Sequence, residues 1–83
     1  MRTILTEHFV EKVEERGIDE SMVYMKLEHA MPRSVRRISE ARDIFELSYY
    51  WMKNEKLIIV ILLFHPDSVV ILTAFIRSEN DEN

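Results

Sequence analysis

The chain has no cysteine, one glycine, two prolines and no apolar run longer than the eight residues from Leu57 to Phe64. Without cysteine there is no disulfide framework and no thiolate metal centre, which fits a reducing compartment. A single glycine rules out a Walker loop and a dinucleotide-binding turn, both of which need several. Eight apolar residues are too few to span a bilayer, and Met1-Arg2-Thr3 opens no apolar signal core, so the expectation is a cytoplasmic protein without a membrane partner. The three histidines, His8, His29 and His65, share no helical ligand spacing, so no metal and no cofactor is expected.

What remains is 83 residues, 47% of them apolar, with a net charge of −4. One domain fits that length. The charge is uneven: residues 1–30 and 57–83 each carry −3, while residues 31–56 carry +2. An acidic surface makes a poor general coat for nucleic acid, because phosphate binding rests on clustered Lys and Arg. The exception is the basic stretch Arg33, Arg36, Arg37 and Arg42, which either faces an anion or borders a strand.

Thr6 is a candidate N-cap, and Phe9, Val10 and Val13 form an apolar stripe that ends at Gly17, which predicts a helix over 6–16. Asp19 restarts the pattern, Ile18 is placed to staple onto Val23, and Pro32 stops it, which predicts a second helix over 20–31. Beyond Pro32 the residues turn β-branched and aromatic. A short strand is expected over 35–39, then strands over 43–52, 57–64 and 69–76, with turns at Asn54-Glu55 and at His65-Pro66-Asp67-Ser68. The fold expected is α+β, with two N-terminal helices packed on one face of a four-stranded antiparallel sheet. It occupies residues 1–78, followed by a disordered acidic tail over 79–83. Alternation in the last strand puts Val70, Leu72, Ala74 and Ile76 on one face and Ile71, Thr73, Phe75 and Arg77 on the other. The face away from the helices is then expected to carry Glu46, Ser48, Tyr50, Thr73, Phe75 and Arg77.

Polar groups on an open sheet face beside a basic strand are ingredients for phosphodiester chemistry without a metal. Such chemistry needs a base for the 2′-hydroxyl, a cation or donor for the phosphorane charge, and an acid for the leaving oxygen. His8, Arg37, Thr73 and Arg77 are the candidate catalytic residues, because histidine changes charge near neutral pH and arginine forks onto phosphate. Plainer readings stand beside these: an exposed residue at a helix start for His8, a strand border for Arg37, a good strand former for Thr73, and core packing for at least two of Tyr49, Tyr50 and Trp51.

The segment Ile4 to Ile18, with a histidine near its start and an Arg16-Gly17-Ile18 helix break, resembles the opening of small bacterial and phage proteins of the barnase, EndoU, colicin and RelE ribonuclease fold. Ile71-Leu72-Thr73-Ala74-Phe75 is similar to the closing strand of that group. The resemblance spans nearly the whole chain on short motifs. It implies a metal-independent, toxin-type endoribonuclease that cleaves mRNA or tRNA, with His8 as acid or base, Arg16 as a helix-end structural or phosphate residue and Thr73 as a transition-state or phosphate contact. The chain departs from the pattern at Lys12, where relatives often carry arginine, at Phe75 in place of tyrosine, and at Ile76 in place of proline. Arg16, Arg33, Arg36, Ser48 and Tyr50 complete the expected RNA-binding set. The implied partners are RNA and a protein such as an antitoxin or host factor. A homodimer is compatible with either. The alternative is a non-catalytic phage or plasmid interaction protein that binds a host protein through its open sheet face or edge, with Ile71, Phe75 and Tyr50 exposed.

Overall fold

The computed structural model describes residues 2–64 and 66–79. Strand β1 (Arg2–Leu5) leads into helices α1 (Glu7–Glu15) and α2 (Glu20–His29), followed by strands β2 (Ser34–Arg37), β3 (Ile44–Met52), β4 (Glu55–Phe64) and β5 (Ser68–Ser78). The helix starts form as their caps predict. The Thr6 hydroxyl accepts from the Phe9 amide at 3.1 Å, and the Asp19 carboxylate accepts from the Ser21 amide at 2.9 Å. Gly17 ends the first helix at φ 68°, a left-handed conformation that costs an L side chain about 1 kcal/mol or more. Ile18 and Val23 both join the core, as a staple requires.

The sheet has five strands in the order β1-β5-β4-β3-β2, not four. The expectation of a wholly antiparallel sheet is corrected at its first edge, where β1 lies parallel to the start of β5. Arg2-Thr3-Ile4-Leu5 is too short and too close to a helix cap to stand out as a strand. It forms because β5 offers a free edge, with the Arg2 amide donating to Asp67 O at 2.7 Å. The remaining pairs, β2 with β3, β3 with β4 and β4 with β5, form the expected antiparallel meander.

A second correction lies inside β5. The register passes from Val60 opposite Thr73 to Ile61 opposite Ile71, so Leu72 is an extra residue. This bulge reverses the alternation of the preceding residues. Ile71, expected on the open face, is fully buried in the helix-side core with Val69 and Ala74. Leu47, Tyr49, Leu57, Ile59 and Ile61 supply the rest of that sheet surface, and Phe9, Val13 and Val23 cover it. Burial pushes the Tyr49 phenol above its usual value.

On the other face, Glu46, Val60 and Thr73 form one row across the sheet, and Ser48, Ile58 and Phe75 form the next. The strand positions read as open-face residues therefore do share that face. Ile58 is only 1% exposed there, outside the core cluster that the helices cover. Glu79 is the first residue of the tail expected over 79–83. Its amide donates to Asn54 O at 2.9 Å and its carboxylate pairs with Arg33. His65 of the predicted turn and residues 80–83 of the predicted tail lie outside the described residues.

Candidate nucleic-acid interface

β1 pairs with Ser68–Ile71, and among the described residues the second half of β5 has no strand on its outer side. α1 serves that edge instead. At the entry to the helix, the Thr6 hydroxyl donates to Ile71 O at 2.9 Å while accepting from Phe9. At its end Arg16, the C-cap, crosses to the strand: Nη1 donates to Ala74 O at 2.8 Å and to the Thr73 hydroxyl at 3.2 Å. Two residues that are 57 positions apart in the chain thus form one site. The guanidinium also lies 5.9 Å from the centre of the Phe75 ring, and Arg77 lies 5.2 Å from the same ring. Two cations therefore flank one aromatic ring beside one hydroxyl. Arginine suits this arrangement because its planar, weakly hydrated head stacks on rings and forks onto phosphate.

His8 is exposed in the first turn of α1. Residues 8, 12 and 16 are spaced i, i+4, i+8 and run as one stripe down the helix, with His8 about 12 Å along the axis from Arg16. Lys12, between them, pairs with Glu15 at 3.5 Å. Helical side chains all lean toward the N-terminus, so that separation is kept, and the Arg16 head crosses to Thr73 and Ala74 of β5.

Arg37 does not join Thr73. It sits on β2, three strands and about 14 Å away. There Nη2 donates to Asp43 at 3.1 Å, and the guanidinium stacks 4.7 Å from the Phe45 ring centre, on the helix side of the sheet. Arg36 donates to Glu46 at 3.2 Å, and Arg33 pairs with Glu79. The basic stretch is therefore largely an edge strand held by carboxylates. Ser48 shares the open face but is buried, which keeps it from a large ligand, whereas Tyr50 is 58% exposed with Lys26 Nζ 6.0 Å from its ring centre. Among the described residues no group of three His, Cys, Asp or Glu side chains is arranged to hold a metal.

Compared with known protein families, curated proteins and solved structures, the chain matches none. Its site must be read from its own geometry. Two members of that site, Phe75 and Glu46, are not among the catalytic or RNA-binding residues expected from the sequence. Phe75 becomes a platform only because two arginines converge on it. Glu46 lies between Arg36 and Arg77, with Arg77 Nη1 at 3.9 Å. Glu46 stands opposite Arg36 on the neighbouring strand, so only the cross-strand register reveals their pairing.

Proposed function

We propose that the protein is a metal-independent endoribonuclease that acts on single-stranded RNA at the outer half of β5. The observation that carries this reading is the convergence of Arg16 and Arg77 on Phe75 beside the Thr73 hydroxyl. An unpaired base stacks on the ring while the adjoining phosphodiester lies between the guanidinium groups, and Thr73 donates a hydrogen bond to a phosphoryl oxygen. RNA binding is required to bring His8, about 12 Å along α1 from Arg16, to the 2′-hydroxyl, whose proton it takes. The 2′-oxygen attacks phosphorus, the bond to the 5′-oxygen breaks, and the imidazolium returns its proton to that oxygen. The products are a 2′,3′-cyclic phosphate and a 5′-hydroxyl end. Arg37 lies outside this set, and Arg33 and Arg36 border the far edge.

The test is cleavage of mRNA and tRNA by purified protein in EDTA, with product ends identified by mass spectrometry. Cyclic phosphate ends, and a loss of about a hundredfold in His8→Ala and in Thr73→Ala, are the expected results. RNA left intact by clean wild-type protein, with no effect on growth when the protein is expressed, overturns the enzyme reading. A non-catalytic interaction protein is the second reading, favoured by the exposed Tyr50 and Met52 at the end of β3. Stoichiometric recovery of one protein, with RNA unchanged, supports it.

A further inference from the structure

The outer surface of α2 has no role in the site above. Tyr24 and Met25 point away from the core, 40% and 56% exposed, and with Leu5 of β1, itself 39% exposed, they line a groove of about 720 Å³. The rim carries Asp19, Glu20 and Glu28, with His29 at one end. Apolar side chains on the outward side of a short helix cost solubility, so their placement beside three carboxylates calls for an occupant.

The edge of β1 runs along this groove. Because the Arg2 amide donates inward to Asp67 O, the two-residue period of the ladder turns the Arg2 and Ile4 backbones toward β5 and leaves the Thr3 and Leu5 amides and carbonyls facing outward. The Thr3 and Leu5 side chains share the helix side with Val69 and Ile71, and the Thr3 hydroxyl donates to Glu28 at 2.6 Å. A strand added here would direct alternate side chains into the groove.

We propose that this groove binds a cationic peptide segment in extended form, which adds to the outer edge of β1. One large apolar side chain seats between Leu5, Tyr24 and Met25, and flanking Lys or Arg residues meet Glu20 and Glu28. Charge decides the occupant. A second copy of the chain would bring a net charge of −4, and its densest basic run, Arg33, Arg36 and Arg37, is already held by carboxylates of its own chain. Methionine suits such a surface, since its flexible thioether adapts to varied apolar partners.

Two fluorescein-labelled octapeptides test this, one alternating lysine with leucine and one alternating glutamate with leucine, titrated by anisotropy at low and high salt. The lysine peptide is expected to bind, more weakly in high salt, and to slow hydrogen exchange at the Thr3 and Leu5 amides. Tyr24→Ala with Met25→Ala should weaken it about tenfold, and Glu20→Gln with Glu28→Gln about threefold with a flatter salt response. Glu14→Gln with Glu15→Gln, on the outside of α1, should leave it unchanged. Equal binding of the glutamate peptide, an equal loss in the α1 variant, or no change in exchange at β1 overturns the proposal. So does a dimer in sedimentation that the Tyr24 and Met25 double variant dissolves, because the occupant is then a second copy.

Discussion

The arginines at the two sides of this sheet have different partners. Around β2, Arg33, Arg36 and Arg37 each meet a carboxylate, of Glu79, Glu46 and Asp43 respectively. Beside β5, Arg16 meets a carbonyl, a hydroxyl and a ring, and no carboxylate among the described residues, while Arg77 stands 3.9 Å from Glu46. The denser run of positive charge along the chain is therefore the more neutralised one in space. Exposed ion pairs of the β2 kind contribute about 0–1 kcal/mol each and also protect a four-residue edge strand from pairing with another sheet. A guanidinium held by neutral groups keeps its charge available to an anion.

The largest expected effect comes from undoing the seat of α1. Phe9 is fully buried, and Phe9→Ala should cost about 3–5 kcal/mol in urea unfolding, which releases Arg16 from β5 along with the helix. Next is the comparison itself. Arg16→Ala should lower RNA cleavage by about a hundredfold, roughly 2.7 kcal/mol of transition-state stabilisation, whereas Arg37→Ala should leave cleavage within about twofold. Equal losses would erase the distinction between the two sides. Gly17→Ala should destabilise by about 1 kcal/mol in thermal or urea unfolding. A Cβ there meets nothing within 4 Å, so a larger cost would show that the turn after Arg16 is held by more than its positive φ.

The smallest effect concerns a carboxylate that meets no arginine. Hydrogen bonds from the Ser21 hydroxyl and amide hold the Asp19 carboxyl below its ordinary value of 3.8. Its folded value lies under its unfolded one, so its stabilisation is complete above the unfolded value and is lost as pH falls through the folded one. Asp19→Asn keeps a capping oxygen and should flatten that acid limb of stability, measured by unfolding at successive pH values.

Much of the helical layer was legible from local signals. Thr6, Gly17, Asp19 and Pro32 bracket the two helices within a residue or two, because caps and breakers act over one turn. Placing Glu46, Ser48 and Tyr50 on the open face identified the residues between them, Leu47 and Tyr49, as the covered face of β3, since side chains along a strand must alternate. The site was legible only in pieces. Thr73 and Arg77 were recognised on their face and Arg16 through a resemblance, whereas Arg37 was grouped with them because charge density along the chain says nothing about distance across a sheet.

The residues alone determined an α+β chain with two capped helices, a both-sides-apolar β4 and an open face bearing Glu46, Thr73 and Arg77, because propensity, capping and period are properties of neighbours in sequence. Only the tertiary structure decided that Arg2–Leu5 becomes a parallel edge strand and that a bulge at Leu72 turns Ile71 into the core. It also decided that a helix-end arginine rests on Thr73. The parallel edge and the Arg16 contact depend on partners 57 or more residues away, and the bulge on the register of β5 against β4, so each forms only when the sheet and the helix layer close on one another.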